Sequence, residues 1–239
     1  MSAHPLDDFV SSLPSDYYRR FGPAARAQHA KIAASRHEEP FVLGCVDTRG
    51  PDVALCVVAE DRPGLLATVS AALRLVGLEV VEGESFTRAL PDGSNESLEL
   101  FWVRPPVDAE TLERLRRSLQ GLMAGKLDSA RAVSVPPAAC PVSETRVRFV
   151  EGDAGTLTTL EVESDDRSGL LLALARALFS QRVQIVRAEV RTKQGRVYDR
   201  FAITGFDGSP IAPEHRLAIQ VAVLSALGPA GAEPATASP

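Results

Sequence analysis

Two six-residue segments concentrate the residue types that hold a small charged molecule. Asp61-Arg62-Pro63-Gly64-Leu65-Leu66 recurs as Asp166-Arg167-Ser168-Gly169-Leu170-Leu171, 105 positions later. Each lies between a strand-like run and a helical pattern. Where a chain enters a helix, the first N–H groups have no internal acceptor, and the helix dipole adds partial positive charge. Gly64 and Gly169 carry no Cβ, so a guest can approach the main chain closely. A carboxylate is the guest expected at such a place. Asp61 and Asp166 would meet an ammonium group, and Arg62 and Arg167 would add charge-assisted hydrogen bonds. An amino acid carries both ends. The plainer alternative is structural: the Asp caps a helix and the Gly makes a tight turn.

Other residues that carry chemistry point less clearly. Asp199 shares a strand face with Val197, Phe201 and Ile203, and Glu99 holds the matching place before Phe101 and Val103. Such an acid could orient a ligand or pair across a domain interface, but most acids are exposed, so both are expected in water. His29 has no partnered acid or nucleophile nearby in the pattern, which favours a packing or surface role. Tyr17 and Tyr18 read as a staple onto the first repeat unit, and Arg19, Arg20, Arg26, Lys31 and Arg36 as a solvated basic face. Cys45, Cys56 and Cys140 are odd in number and far apart, so neither a zinc site nor a disulfide framework is indicated.

Around each turn the same elements are predicted. Val53 to Ala59 and Leu157 to Val162 read as strands ahead of the turns. Helical spacing follows in Leu65, Leu66, Val69, Ala72, Leu73 and Val76, and again in Leu170, Leu171, Leu174, Ala175 and Leu178. Two strands come next in each copy: Leu78 to Ala89 and Glu96 to Val103, then Val183 to Thr192 and Arg196 to Thr204. A second helix closes each unit. The first starts at an Asp108 cap and has its apolar face at Leu112, Leu115, Leu119 and Leu122. The second starts at Pro213, with its face at Leu217, Val221, Leu224 and Leu227. A last strand around Ala130 to Val135 completes the first copy. The resulting plan is α+β: two ferredoxin-like βαββαβ units with antiparallel sheets, joined or adjacent, each with both helices on one face. Predicted boundaries are a helical preface at 1–50, units at 51–136 and 142–228 with Pro136 to Pro141 as linker, and a disordered tail at 229–239.

Composition narrows the function. The chain has 239 residues, 45% hydrophobic and 24% charged, with a net charge of −5. These values fit a globular protein and argue against one that mainly grips nucleic acid. No uncharged apolar run is long enough to span a bilayer, and the N-terminus lacks a secretory pattern, so a cytoplasmic protein with no membrane partner is expected.

The turn sequence, set in a split βαβ unit, resembles the ACT domain, a small module that binds amino acids and regulates metabolic enzymes. Tandem pairs are common in that family. Leu13-Pro14-Ser15-Asp16-Tyr17-Tyr18, Phe21 and Ala27-Gln28-His29-Ala30 resemble the segment ahead of the paired ACT domains in bifunctional PII uridylyltransferase/uridylyl-removing enzymes. Thr145 to Phe149 and Val197 to Phe201 resemble the approach to the last of those domains and its third strand. Those enzymes hold metals with Asp-x-Asp and His-Asp motifs, and this sequence contains neither. The resemblance therefore implies a non-enzymatic regulatory protein without a cofactor. Its ligand would be a free amino acid, glutamine first, bound by Asp61 to Leu66 and Asp166 to Leu171 near the interface of the units. The alternative is an association module that pairs as a homodimer or with a partner regulatory enzyme and takes no small ligand.

Overall fold

The computed structural model describes residues 5–46, 53–105, 107–127, 145–150 and 157–228. Three helices come first: α1 (Pro5–Ser11), α2 (Ser15–Arg20) and α3 (Pro23–Ala34). A first unit follows: β1 (Phe41–Val46), β2 (Val53–Glu60), α4 (Leu65–Leu75), β3 (Glu79–Ala89), β4 (Asn95–Arg104) and α5 (Ala109–Met123). The second repeats it: β5 (Arg146–Val150), β6 (Thr158–Asp165), α6 (Leu170–Ser180), β7 (Val183–Lys193), β8 (Arg196–Gly205) and α7 (Pro213–Leu227). Among the described residues no helix is long and apolar enough to cross a membrane.

The strands form one eight-stranded sheet in the order β1-β2-β4-β3-β7-β8-β6-β5, antiparallel throughout. Read from either edge, the order is the same in terms of the repeat, so the two halves are related by a local twofold axis between β3 and β7. The predicted order within a unit needs correction. In the described residues the strand beside β2 is β1, which precedes the unit, so each half runs ββαββα. The predicted 1–50 helical preface thus ends in a strand that belongs to the sheet. The predicted strand at Ala130 to Val135, the linker at Pro136 to Pro141 and the tail at 229–239 lie outside the described residues.

Strand composition accounts for the layers. In β2 the run Ala54 to Ala59 is apolar without alternation and wholly buried, because both faces of this strand are covered. Leu55, Val57 and Ala59 face the core shared with α4 to α7, while Ala54, Cys56 and Val58 pack under α1 to α3. In β6 Leu160 and Val162 are buried, whereas Glu161 and Glu163 alternate with them on the open face. The preface therefore shields mainly the first half of the sheet, and reaches the second where Asp16 pairs with Arg187 of β7. Tyr17 fastens it, with its ring 5.4 Å from Phe86 and its hydroxyl 2.8 Å from His29 Nδ1. Burial lowers the His29 pKa to about 4.

One predicted helix face is right only at Leu227. α7 buries Ile219, Val223 and Leu227, and leaves Leu217 (66% exposed), Val221 and Leu224 in solvent. Both sets have helical spacing on a helix that is apolar nearly all round, so periodicity could not choose between them. Docking against α6 and β5 makes the choice, with Gln220 Nε2 donating to Val147 O at 3.0 Å. α5 carries a single stripe, and there the expectation holds: Leu115, Leu119 and Leu122 are buried and Asp108 caps Thr111 N at 2.7 Å.

Candidate functional site

The two turns share one backbone shape. Gly64 has φ +82° and ψ 7°, and Gly169 has φ +81° and ψ 8°. This left-handed geometry favours glycine and aims the chain into α4 and α6. The Asp before each turn is tied by its main chain: Asp61 N donates to Asn95 O at 2.9 Å, and Asp166 N to Gly195 O at 2.8 Å. Leu65 N and Leu170 N donate to Arg62 O and Arg167 O at 3.1 and 3.2 Å. Neither helix start receives a side-chain cap, so neither Asp is spent on capping.

The surroundings differ sharply. At the first turn Asp61 accepts hydrogen bonds from Thr87 Oγ1 at 3.1 Å and from Gln184 Nε2 at 2.9 Å. The Phe179 ring lies so close that a Cβ on Gly64 would be 2.8 Å from its Cδ2. About 10 Å³ of space remains there, at the lower limit for a single water molecule.

At the second turn a cavity of about 490 Å³ opens between residues 166–172 and the first unit, whose wall is the end of α4 and the start of β3. This volume is within the range of small-molecule sites. Arg74 donates to Ser168 Oγ, which in turn donates to Glu79 Oε1 at 3.1 Å. Arg167 reaches away to α7, donating to Ala226 O at 2.8 Å. Burial and the nearby Glu79 charge raise the Asp166 pKa, opposed by a hydrogen bond from Arg167 N–H.

Asp199 and Glu99 correct the expectation of solvated acids: each is only 2% exposed. They face the helices because their strand neighbours Phe201 and Phe101 must, and the two-residue period carries the acids in with them. Asp199 borders the second-turn cavity, and its Oδ2 has no partner. Burial drives its pKa well up, and Asp166 adds to the shift. Glu99 lies by the first turn with Oε2 unpartnered, raised to about 8 by burial and then by the charge of Asp61, against a hydrogen bond from Ser97.

Each turn is thus completed by the other unit. The sequence reading missed Arg74, Glu79, Phe179 and Gln184, which are distant in the chain from the turns they meet. The repeat offset held a clue, since Arg74 corresponds to Phe179 and Glu79 to Gln184. Among the described residues no group of three or more His, Cys, Asp and Glu is arranged to hold a metal.

No family model matches the chain. Its curated homologues are bifunctional uridylyltransferase/uridylyl-removing enzymes. The enzyme of Rhodospirillum rubrum is 26% identical over 216 residues, covering 84% of this chain and 23% of the relative. That of Phenylobacterium zucineum is 26% identical over 255 residues, 98% of this chain and 26% of the relative. That of Streptomyces coelicolor is 30% identical over 174 residues, 68% of this chain and 21% of the relative. The chain spans about a quarter of the length of these relatives and resembles that part of them. Among solved structures, 6-hydroxy-D-nicotine oxidase from Arthrobacter nicotinovorans matches with a TM-score of 0.31 at 12% identity, over 75% of this chain and 44% of that one, too weak to carry an argument.

Proposed function

We propose that this chain is a regulatory, non-enzymatic module whose two units are ACT domains, and that it binds one small amino acid, glutamine first, at the turn from Asp166 to Leu171. The carrying observation is the cavity beside that turn, with uncapped helix N–H groups on one side and acids on the other. The ligand carboxylate would take the main-chain N–H groups at the start of α6. Its ammonium would meet Asp166 and Glu79. Homology to part of a bifunctional uridylyltransferase supports a regulatory role and makes glutamine, a report of nitrogen status, the first ligand to test. Because the wall comes from the first unit and the turn from the second, a bound ligand would favour one packing of the two. The receiver of that signal would be a nucleotidyltransferase or a PII-like protein.

A thermal-melting series against free amino acids tests this reading. A ligand at one hundred times its Kd stabilises by about 2.7 kcal/mol, which at roughly 2–4 °C per kcal/mol is readily measured. A flat response to every amino acid would leave association as the role. The observation favouring that second reading is the exposed stripe Leu217, Val221 and Leu224, since apolar side chains grouped on a surface mark contact sites.

A further inference from the structure

We infer that the first turn is a copy of the ligand site that the chain itself holds shut: Phe179 and Gln184 fill it, and only the second turn takes a free molecule. The part concerning the free molecule rests on the amino-acid reading above.

The local twofold axis makes the comparison direct, because the turn and wall residues have counterparts 105 positions away, and those on β4 and β8 counterparts 100 positions away. Gly64 and Gly169 have the same backbone angles, and Asp61 and Asp166 the same main-chain tie. The contents differ. Gln184 sets a donor nitrogen 2.9 Å from Asp61 Oδ1, the contact that a ligand's ammonium would make with Asp166. Phe179 is 46% exposed, so its ring sits at the mouth of the turn and not in the core. Gln184 Oε1 is buried without a partner. An orphaned acceptor is unfavourable for folding, which marks the carboxamide as a guest in the site and not an ideal part of the core.

Three differences between the copies act together. Ser168 stands where the first copy has Pro63, Arg74 where the second has Phe179, and Glu79 where it has Gln184. In the second copy the Ser168 hydroxyl links Arg74 and Glu79 into the wall and leaves the floor open. Pro63 offers no hydroxyl for such a link, and the wall residues opposite it turn inward onto Gly64 and Asp61. The occupant class follows: a small molecule bearing an N–H donor, of which the Gln184 carboxamide is the tethered example.

Calorimetric titration with L-glutamine tests the proposal on the full chain, alongside a folded Phe179→Ala/Gln184→Ala variant. The expected stoichiometry is one per wild-type chain and two per variant chain. Two sites in the wild type, or one in the folded variant, would overturn it. A second arm does not depend on amino-acid binding. Gln184→Ala should leave a void that acetamide refills, so acetamide should raise the melting temperature of this variant and leave the wild type unchanged. No selective rescue would sink the plug. Selective rescue with no glutamine titration in any chain would keep the plug and reject the amino-acid reading.

Discussion

Glu84 of β3 and Glu189 of β7 lie directly opposite each other at the centre of the sheet, and each is the other's counterpart in the repeat. The local twofold axis passes between them. Two identical acids in register repel each other, and the chain meets this with unlike solutions. Arg20 of the preface pairs with Glu84, which is buried, while Arg191 of the same strand pairs with Glu189, which is more exposed. Burial raises the Glu84 pKa, Arg20 opposes the rise, and Glu189 adds to it.

Arg20→Ala should therefore destabilise the joint between the halves. The ion pair is partly exposed, so the expected loss is about 1 kcal/mol, seen as a lower melting temperature. Glu189→Gln in the Arg20→Ala background should recover part of the loss. Equal melting temperatures for wild type and Arg20→Ala would show that the pair adds nothing.

Glu99 and His29 set opposite pH dependences. Glu99 rises from an ordinary 4.5 to about 8, so its neutral form fits the fold. That stability is full below 4.5 and is lost as pH climbs through 8. His29 falls from 6.5 to about 4, so its share is present above 6.5 and lost as pH drops toward 4. Between pH 6.5 and 8 only the Glu99 slope remains of these two. Denaturant melts should show stability falling there by on the order of 2 kcal/mol, with Glu99→Gln flatter. An unchanged slope in Glu99→Gln would place the titration elsewhere.

The contrast between α5 and α7 gives a test of packing. Counted from the first residue of each helix, α5 carries Glu113, Arg117 and Gln120 where α7 carries Leu217, Val221 and Leu224. Placing Glu, Arg and Gln at those three sites of α7 should change stability by no more than about 0.5 kcal/mol each. Ile219→Ala should cost about 2–5 kcal/mol. A large loss in the first variant would mean that the stripe is covered in the folded molecule.

Much of this architecture is legible in the sequence because it depends on local signals. Asp108 announces a helix start, the Gly-Leu-Leu turns mark the entry to α4 and α6, and alternation in β6 shows one open face. Unbroken hydrophobicity in β2 likewise records burial on both sides. The place of β1 depends on which edge a strand joins, and short apolar runs carry no such information. The site was half legible. Its turns are contiguous in the chain, whereas Arg74, Glu79, Phe179 and Gln184 reach them only through the pairing of β3 with β7 and the packing of α4 on α6. Asp199 and Glu99 depart from the usual exposure of acids because the two-residue period of their own strands carries them inward with Phe201 and Phe101.

The account stands or falls on which turn takes the ligand. A valine at either glycine forces a left-handed residue that carries a branched side chain, a strain of about 1–3 kcal/mol, so both variants should melt lower. Calorimetric titration of the folded variants with L-glutamine separates them: Gly64→Val should bind as the wild type does, and Gly169→Val should not bind. Binding retained in Gly169→Val, or lost in Gly64→Val alone, would contradict the assignment.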